Sequence, residues 1–302
     1  MMRALATVMC AGLLGACTLD SDGSPPDATQ QGEGQMPPDA MVDGVPFYAQ
    51  NGFRCGPAAM ATMLAWSGVT AEPATLEGRF YNAPKDPRTI LVDTAQRFGR
   101  LAYPVSGTRA MHAELAAGHP VLILENLGVA GEPLWNCAVA VGYRDGGAVF
   151  LINGGDQPAR PMSRGLLDRL WSDTERWGLV VLRPGEMPAT ARERPMVEAA
   201  NGLARVGHHW EAVVSYDTVL SRWPSDADAL LGLGASLYLL GDTRGAADAY
   251  RSAAKVAADP APAEEALAHL LGDPARPKAQ DAVILGPVPN AARDASVNSG
   301  GD

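Results

Sequence analysis

The sequence predicts an α+β domain followed by an all-α domain of helical repeats. Three observations point there. Between positions 55 and 182, apolar helical segments come first and strand-like segments later, the order of an α+β unit rather than of alternating βαβ. The region after Pro188 matches itself at a spacing of about 34 residues. A content of 47% hydrophobic residues over 302 positions is enough for about two packed domains. The net charge of -10, with no cluster of Lys and Arg, excludes nucleic acid and an anionic membrane surface as electrostatic partners.

At the N-terminus, Arg3 and the apolar stretch from Ala4 to Leu14 have the layout of an export signal, too short to span a bilayer. Leu14-Gly-Ala-Cys17 resembles the cleavage box of bacterial lipoproteins. That resemblance implies a lipid anchor on Cys17 and, with Thr18 rather than Asp beside it, an outer-membrane location facing the periplasm. A plain secretory peptide cleaved after a small residue is the other reading. Positions 1-17 are assigned to the signal and 18-44, almost without large apolar side chains, to a flexible linker. Cys10 leaves with the signal, so a folded body over 45-186 keeps Cys55 and Cys137 alone.

Along that body, Pro57 fits a first helical turn, Ala58 to Trp66 is a run of good helix formers, and Gly68 closes it. Glu72 to Phe80 and Arg88 to Phe98 have helical periodicity, with Gly99 as a stop. Leu101 to Val105 reads as a short strand, and Thr108 as the cap of a helix ending at Gly118. Val121 to Glu125 is a buried strand. Trp135 to Tyr143 and Ala148 to Asn153 form a hairpin around Arg144-Asp-Gly-Gly147. A helix at Arg164 to Trp171 and a strand at Trp177 to Leu182 complete the unit.

Cys55 falls where loop becomes helix. There the unpaired N–H groups and the positive end of the helix dipole favour thiolate over thiol, the electrostatic requirement of a cysteine nucleophile. A buried Cys opening an ordinary core helix is the competing reading. Gln50 followed by Cys55-Gly-Pro-Ala-Ala, then Gly118-His-Pro-Val-Leu, then Trp135-Asn-Cys-Ala-Val-Ala-Val-Gly-Tyr143 resembles the bacteriocin-processing (double-glycine-type) branch of the papain-like cysteine peptidases. The resemblance covers about Val45 to Leu182 and implies a papain-like α+β fold with neither metal nor cofactor. It implies Cys55 as nucleophile, Gln50 in the oxyanion hole, and an orienting Asp or Asn at or beside Asn153.

The family's histidine falls on Asn136, whose amide exchanges no proton near neutral pH. General acid–base work, worth about 10² to 10⁴ in rate, is then missing. His119 reads as a structural residue before the Val121 strand, His112 as solvated, and His208, His209 and His269 lie outside the domain. If Asn136 faces the Cys55 helix, Cys137, Val139 and Val141 face away, and a Cys55–Cys137 disulfide needs another register.

Beyond Pro188, Gly207 matches Gly241, Ala212 matches Ala246 and Tyr216 matches Tyr250, the tetratricopeptide spacing. Small residues let paired helices approach, and the tyrosines fill the gap between them. About two repeats over 190-271 are predicted, capped by a helix at Ala263 to Leu271 and covered at the other end by the first domain. A disordered tail over 272-302 follows.

The sequence thus predicts a lipid-anchored, cysteine-peptidase-like protein whose hydrolytic activity is weak or lost. A non-catalytic scaffold, binding a peptide or protein ligand through the old cleft and the repeats, is the second reading. A disulfide-stabilised adaptor joining Cys55 to Cys137 is the third.

Overall fold

The computed structural model describes residues 36–50, 55–81, 86–128, 132 and 134–272. The signal segment, the lipidation position Cys17, most of the linker and the tail beyond Gly272 lie outside the described residues. The first domain comprises β1 (Ala40–Met41), α1 (Cys55–Trp66), α2 (Pro73–Tyr81), α3 (Pro87–Arg97), β2 (Leu101–Ser106) and α4 (Thr108–Ala116). It continues with β3 (Val121–Asn126), β4 (Trp135–Arg144), β5 (Val149–Gly154), β6 (Gln157–Ser163), α5 (Arg164–Trp171) and β7 (Trp177–Leu182). All strand pairs are antiparallel, in the order β2-β7-β3-β4-β5-β6, with β1 added on β4.

Helices cover both faces of this sheet, which is why β3 reads as an unbroken apolar run rather than an alternating one. On one face α1 to α3 pack against Leu122, Leu124, Cys137, Val139, Val141, Leu179 and Val181. On the other, Met111, Leu115, Leu167 and Trp171 of α4 and α5 pack against Val121, Ile123, Ala138, Ala140, Phe150 and Ile152. Helix α1 is buried from Gly56 to Leu64, so it lies in the interior between sheet and neighbouring helices.

Three expectations change. The linker assigned to 18-44 becomes ordered by Pro37: β1 pairs with β4, Val42 is buried, and Tyr143 donates its hydroxyl hydrogen to the Pro37 carbonyl. Gly142 permits this, since a Cβ there would stand 2.5 Å from the Ala40 carbonyl oxygen. Second, β6 carries two prolines and a largely exposed surface, so apolar periodicity misses it; as an edge strand it tolerates the missing donors. Third, Thr108 opens α4 without capping it. Gly107 holds the cap position at φ 86, and the Thr108 hydroxyl donates instead to Asp168 at 2.8 Å.

Among the described residues the second domain comprises α6 (Glu193–Arg205), α7 (His209–Arg222), α8 (Ala227–Leu239), α9 (Thr243–Val256) and α10 (Ala261–Gly272). Helices α8, α9 and α10 begin about 34 residues after α6, α7 and α8 respectively. Ala212 and Ala246 are fully buried, Gly207 and Gly241 turn the chain at positive φ, and Gly232 and Gly234 leave room for the rings of Tyr216 and Tyr250. Leu270 of α10 packs on Ala246 and Tyr250. At the other end Met196, Ala200 and Leu203 of α6 share one core with the sheet.

Glu114 ties the two domains together. Its fully buried carboxylate accepts the N–H of Ala189 and both the N–H and the hydroxyl of Thr190, and contacts His119 at 2.8 Å.

Candidate functional site

Cys55 begins α1, half-buried, at the rim of the face that α1 shares with β4. The residue opposite it on β4 is Cys137. Cys137 pairs across the ladder with Leu124, and both belong to the core beneath α1 together with Val139 and Val141. Asn136 therefore lies on the reverse face, where it pairs with Glu125 and donates its amide hydrogen to the Glu125 carboxylate at 3.0 Å. This reverses the faces expected from sequence. The packing shows which face is which: Cys137, Val139 and Val141 share a core with Ala59, Met60, Ala61, Met63 and Leu64 of α1, while Ala138 and Ala140 belong to the core on the other face.

The two sulfurs interact. A hydrogen bond from the Cys137 thiol is the largest influence on Cys55; burial opposes it, backbone N–H groups at the start of α1 add to it, and the Cys55 thiol is lowered to about 6. The same contact and complete burial hold the Cys137 thiol well above its ordinary range. Both cysteines are free. One member is thus a thiolate that accepts at a helix N-terminus, and the other a protonated thiol that donates from beneath it.

Gln50 is tied into the sheet. Its amide donates to the Cys137 carbonyl at 2.9 Å and accepts the Gly155 N–H at 3.2 Å, while its own backbone N–H reaches the Gly155 carbonyl at 2.7 Å. One of its two amide hydrogens is therefore engaged. Residues 51–54 of the same motif lie outside the described residues.

Asn153 pairs with Val139 and so lies on the Cys137 face, almost fully buried. Its side-chain oxygen accepts the Ala159 N–H at 2.7 Å beside the register shift between β5 and β6. The structure ties Gln50 to the Cys137 carbonyl and places Asn153 on the Cys137 face, the face that packs on α1. Sequence reasoning misassigns Asn136 and Cys137.

None of the described histidines partners Cys55. His112, expected to be solvated, stands edge-on to Tyr143 with ring centroids 4.0 Å apart, on the other side of the sheet, where burial lowers its pKa. His119 is held by Glu114, His208 by the Arg97 carbonyl at 2.9 Å, and His269 packs against Tyr238; His209 opens α7. Glu125, 1% exposed behind Cys137, is held above the ordinary carboxylate range by burial, and its Oε1 has no hydrogen-bond partner among the described residues.

Trp135 and Leu134 supply the rim. Trp135 pairs with Asn126 two residues from Cys137, which places its indole on the Cys55 face, 41% exposed, with Leu134 beside it 50% exposed. Neither was singled out from sequence, where Trp135 reads as the first residue of a strand and Leu134 lies just before it.

No family model and no curated protein matches the sequence. Among solved structures, a crystal structure of a C39-like peptidase candidate from Bacillus anthracis aligns with 48% of this chain and 98% of its own, at 16% identity and a TM-score of 0.40.

Proposed function

We propose a papain-like, peptidase-derived domain that binds peptide without hydrolysing it, joined to tetratricopeptide repeats in a lipid-anchored envelope protein. One observation carries this reading: the strand position facing the Cys55 thiolate holds Cys137, a group that stays protonated, where hydrolysis needs an imidazole to move a proton to the leaving amine. A thiolate without that acid can attack a carbonyl, yet the tetrahedral adduct expels the better leaving group, the thiolate itself, and returns substrate. What remains on the Cys55 face is the exposed indole of Trp135 with Leu134 beside it, suited to an extended apolar peptide.

Incubation of the purified chain with a mixed peptide library tests this. Peptides retained by the wild type and lost in Trp135→Ala, with no new termini after prolonged incubation, are the expected outcome. New termini generated by the wild type and abolished in Cys55→Ser refute it. For the anchor, supported by Leu14-Gly-Ala-Cys17, labelled fatty acid is expected to enter the wild type and not Cys17→Ser in a bacterial host. Equal labelling of both refutes it.

A further inference from the structure

We propose that Cys55 and Cys137 are a thiol–disulfide exchange pair, Cys55 attacking an external disulfide and Cys137 resolving the mixed disulfide that forms. The inference does not rest on the peptide-binding reading, since it requires only two apposed thiols with one of them open to solvent.

Four features converge. Cys55 at the start of α1 packs against the core cluster that holds Cys137 of β4, and the two thiols are in hydrogen-bonding contact, so the attacking and resolving sulfurs are already apposed. The pair is asymmetric, with Cys55 half-buried at the rim and Cys137 4% exposed beneath it, so an incoming disulfide meets Cys55 first. Gln50 clamps the Cys137 carbonyl and holds the resolving strand in place. No imidazole is required, because exchange needs a thiolate and a leaving thiolate rather than an acid for an amine.

The ionisation of the two thiols agrees with these roles: Cys55 is lowered and Cys137 raised, and attacking and resolving groups divide in that way. The start of α1 stabilises the thiolate and therefore the reduced pair, which makes the Cys55–Cys137 disulfide the oxidising form.

The step balances as follows. The Cys55 thiolate attacks one sulfur of R–S–S–R, that S–S bond breaks, and R–S⁻ departs and takes a proton. The Cys137 thiol then loses its proton to solvent, its sulfur attacks Cys55, and the second R–S⁻ leaves. Cys55 and Cys137 are oxidised by two electrons while one external disulfide is reduced to two thiols. Run in reverse, the pair delivers a disulfide to a substrate dithiol.

The full chain in oxidised and reduced glutathione at varied ratio, acid-quenched, alkylated and mapped by mass spectrometry, tests this. A Cys55–Cys137 linked peptide should grow with the oxidised fraction and be reopened by reduced glutathione without denaturant. Cys137→Ser should accumulate a glutathione adduct on Cys55 about tenfold above wild type, because the resolving step is lost. Cys55→Ser should leave Cys137 unmodified. Absence of the linked peptide at every ratio overturns the proposal, and so does a linked peptide that glutathione cannot reopen in the native state, which would mark a structural bridge. The wild-type titration decides the matter even if a variant fails to fold.

Discussion

Cys137→His is expected to give the protein peptide-bond hydrolysis that the wild type lacks, through Cys55. The substitution places an imidazole on the strand position whose side chain already meets the Cys55 sulfur. There it can hold the thiolate as an ion pair and protonate the departing amine. Asn153, on the same face one strand away, is positioned to orient the ring. The expected gain is about 10² to 10⁴ in rate, the range for general acid–base assistance. Asn136→His is the matched control. It adds the same group on the reverse face beside Glu125, so no hydrolysis is expected from it. Cleavage gained by Asn136→His and not by Cys137→His would show that the faces of β4 are assigned the wrong way round. Fluorogenic peptides with Cys55→Ser as a blank measure all three.

The largest stability effect is expected at Glu114. Its carboxylate lies in the joint between the domains, with Ala189, Thr190 and His119 as its donors. Glu114→Ala leaves several buried polar groups unpaired at once, each costing about 1–3 kcal/mol, so a loss of about 3–5 kcal/mol is expected in denaturant unfolding. The pH dependence has a definite sign. Burial pushes the Glu114 carboxyl up, but its hydrogen bonds with His119, Thr190 and Ala189 outweigh this and hold it below the ordinary 4.5. A lowered folded-state pKa gives stability that is present above pH 4.5 and lost as pH falls through the folded value. Glu125 acts oppositely: raised by burial, its contribution is full below 4.5 and lost as pH rises through its folded value. Wild type should therefore lose stability on acidification below pH 4.5 by more than Glu114→Ala does.

Much of this arrangement is legible in the sequence, for identifiable reasons. The repeat helices follow from small residues and tyrosines recurring at one period, because a stacked array imposes the same packing on each unit. Helix α1, with Cys55 at its start, follows from Pro57 and the alanine run. What a single strand does not disclose is which face it turns to which layer when both faces are covered. In Asn136-Cys-Ala-Val-Ala-Val141 the residues from Cys137 onward are apolar on both sides, so alternation is silent, and the face shows only in the folded packing, with Cys137, Val139 and Val141 in the core under α1 and Ala138 and Ala140 in the core on the reverse face. The edge strand β6 and the pairing of β1 were hidden for another reason. Their stability comes from backbone bonds to β5 and β4 and from a close approach at Gly142, neither of which leaves an apolar pattern.

The rate of Cys55 alkylation against pH, in the reduced chain and in Cys137→Ala, tests most directly that Cys55 is a thiolate held by Cys137. The wild type should show an inflection near the lowered value of about 6. In Cys137→Ala, with the principal hydrogen bond gone, the inflection should move up toward the ordinary 9.0 and labelling at neutral pH should slow accordingly. An inflection near 9.0 in the wild type, or one that Cys137→Ala leaves in place, would contradict the assignment of Cys137 as the partner of Cys55.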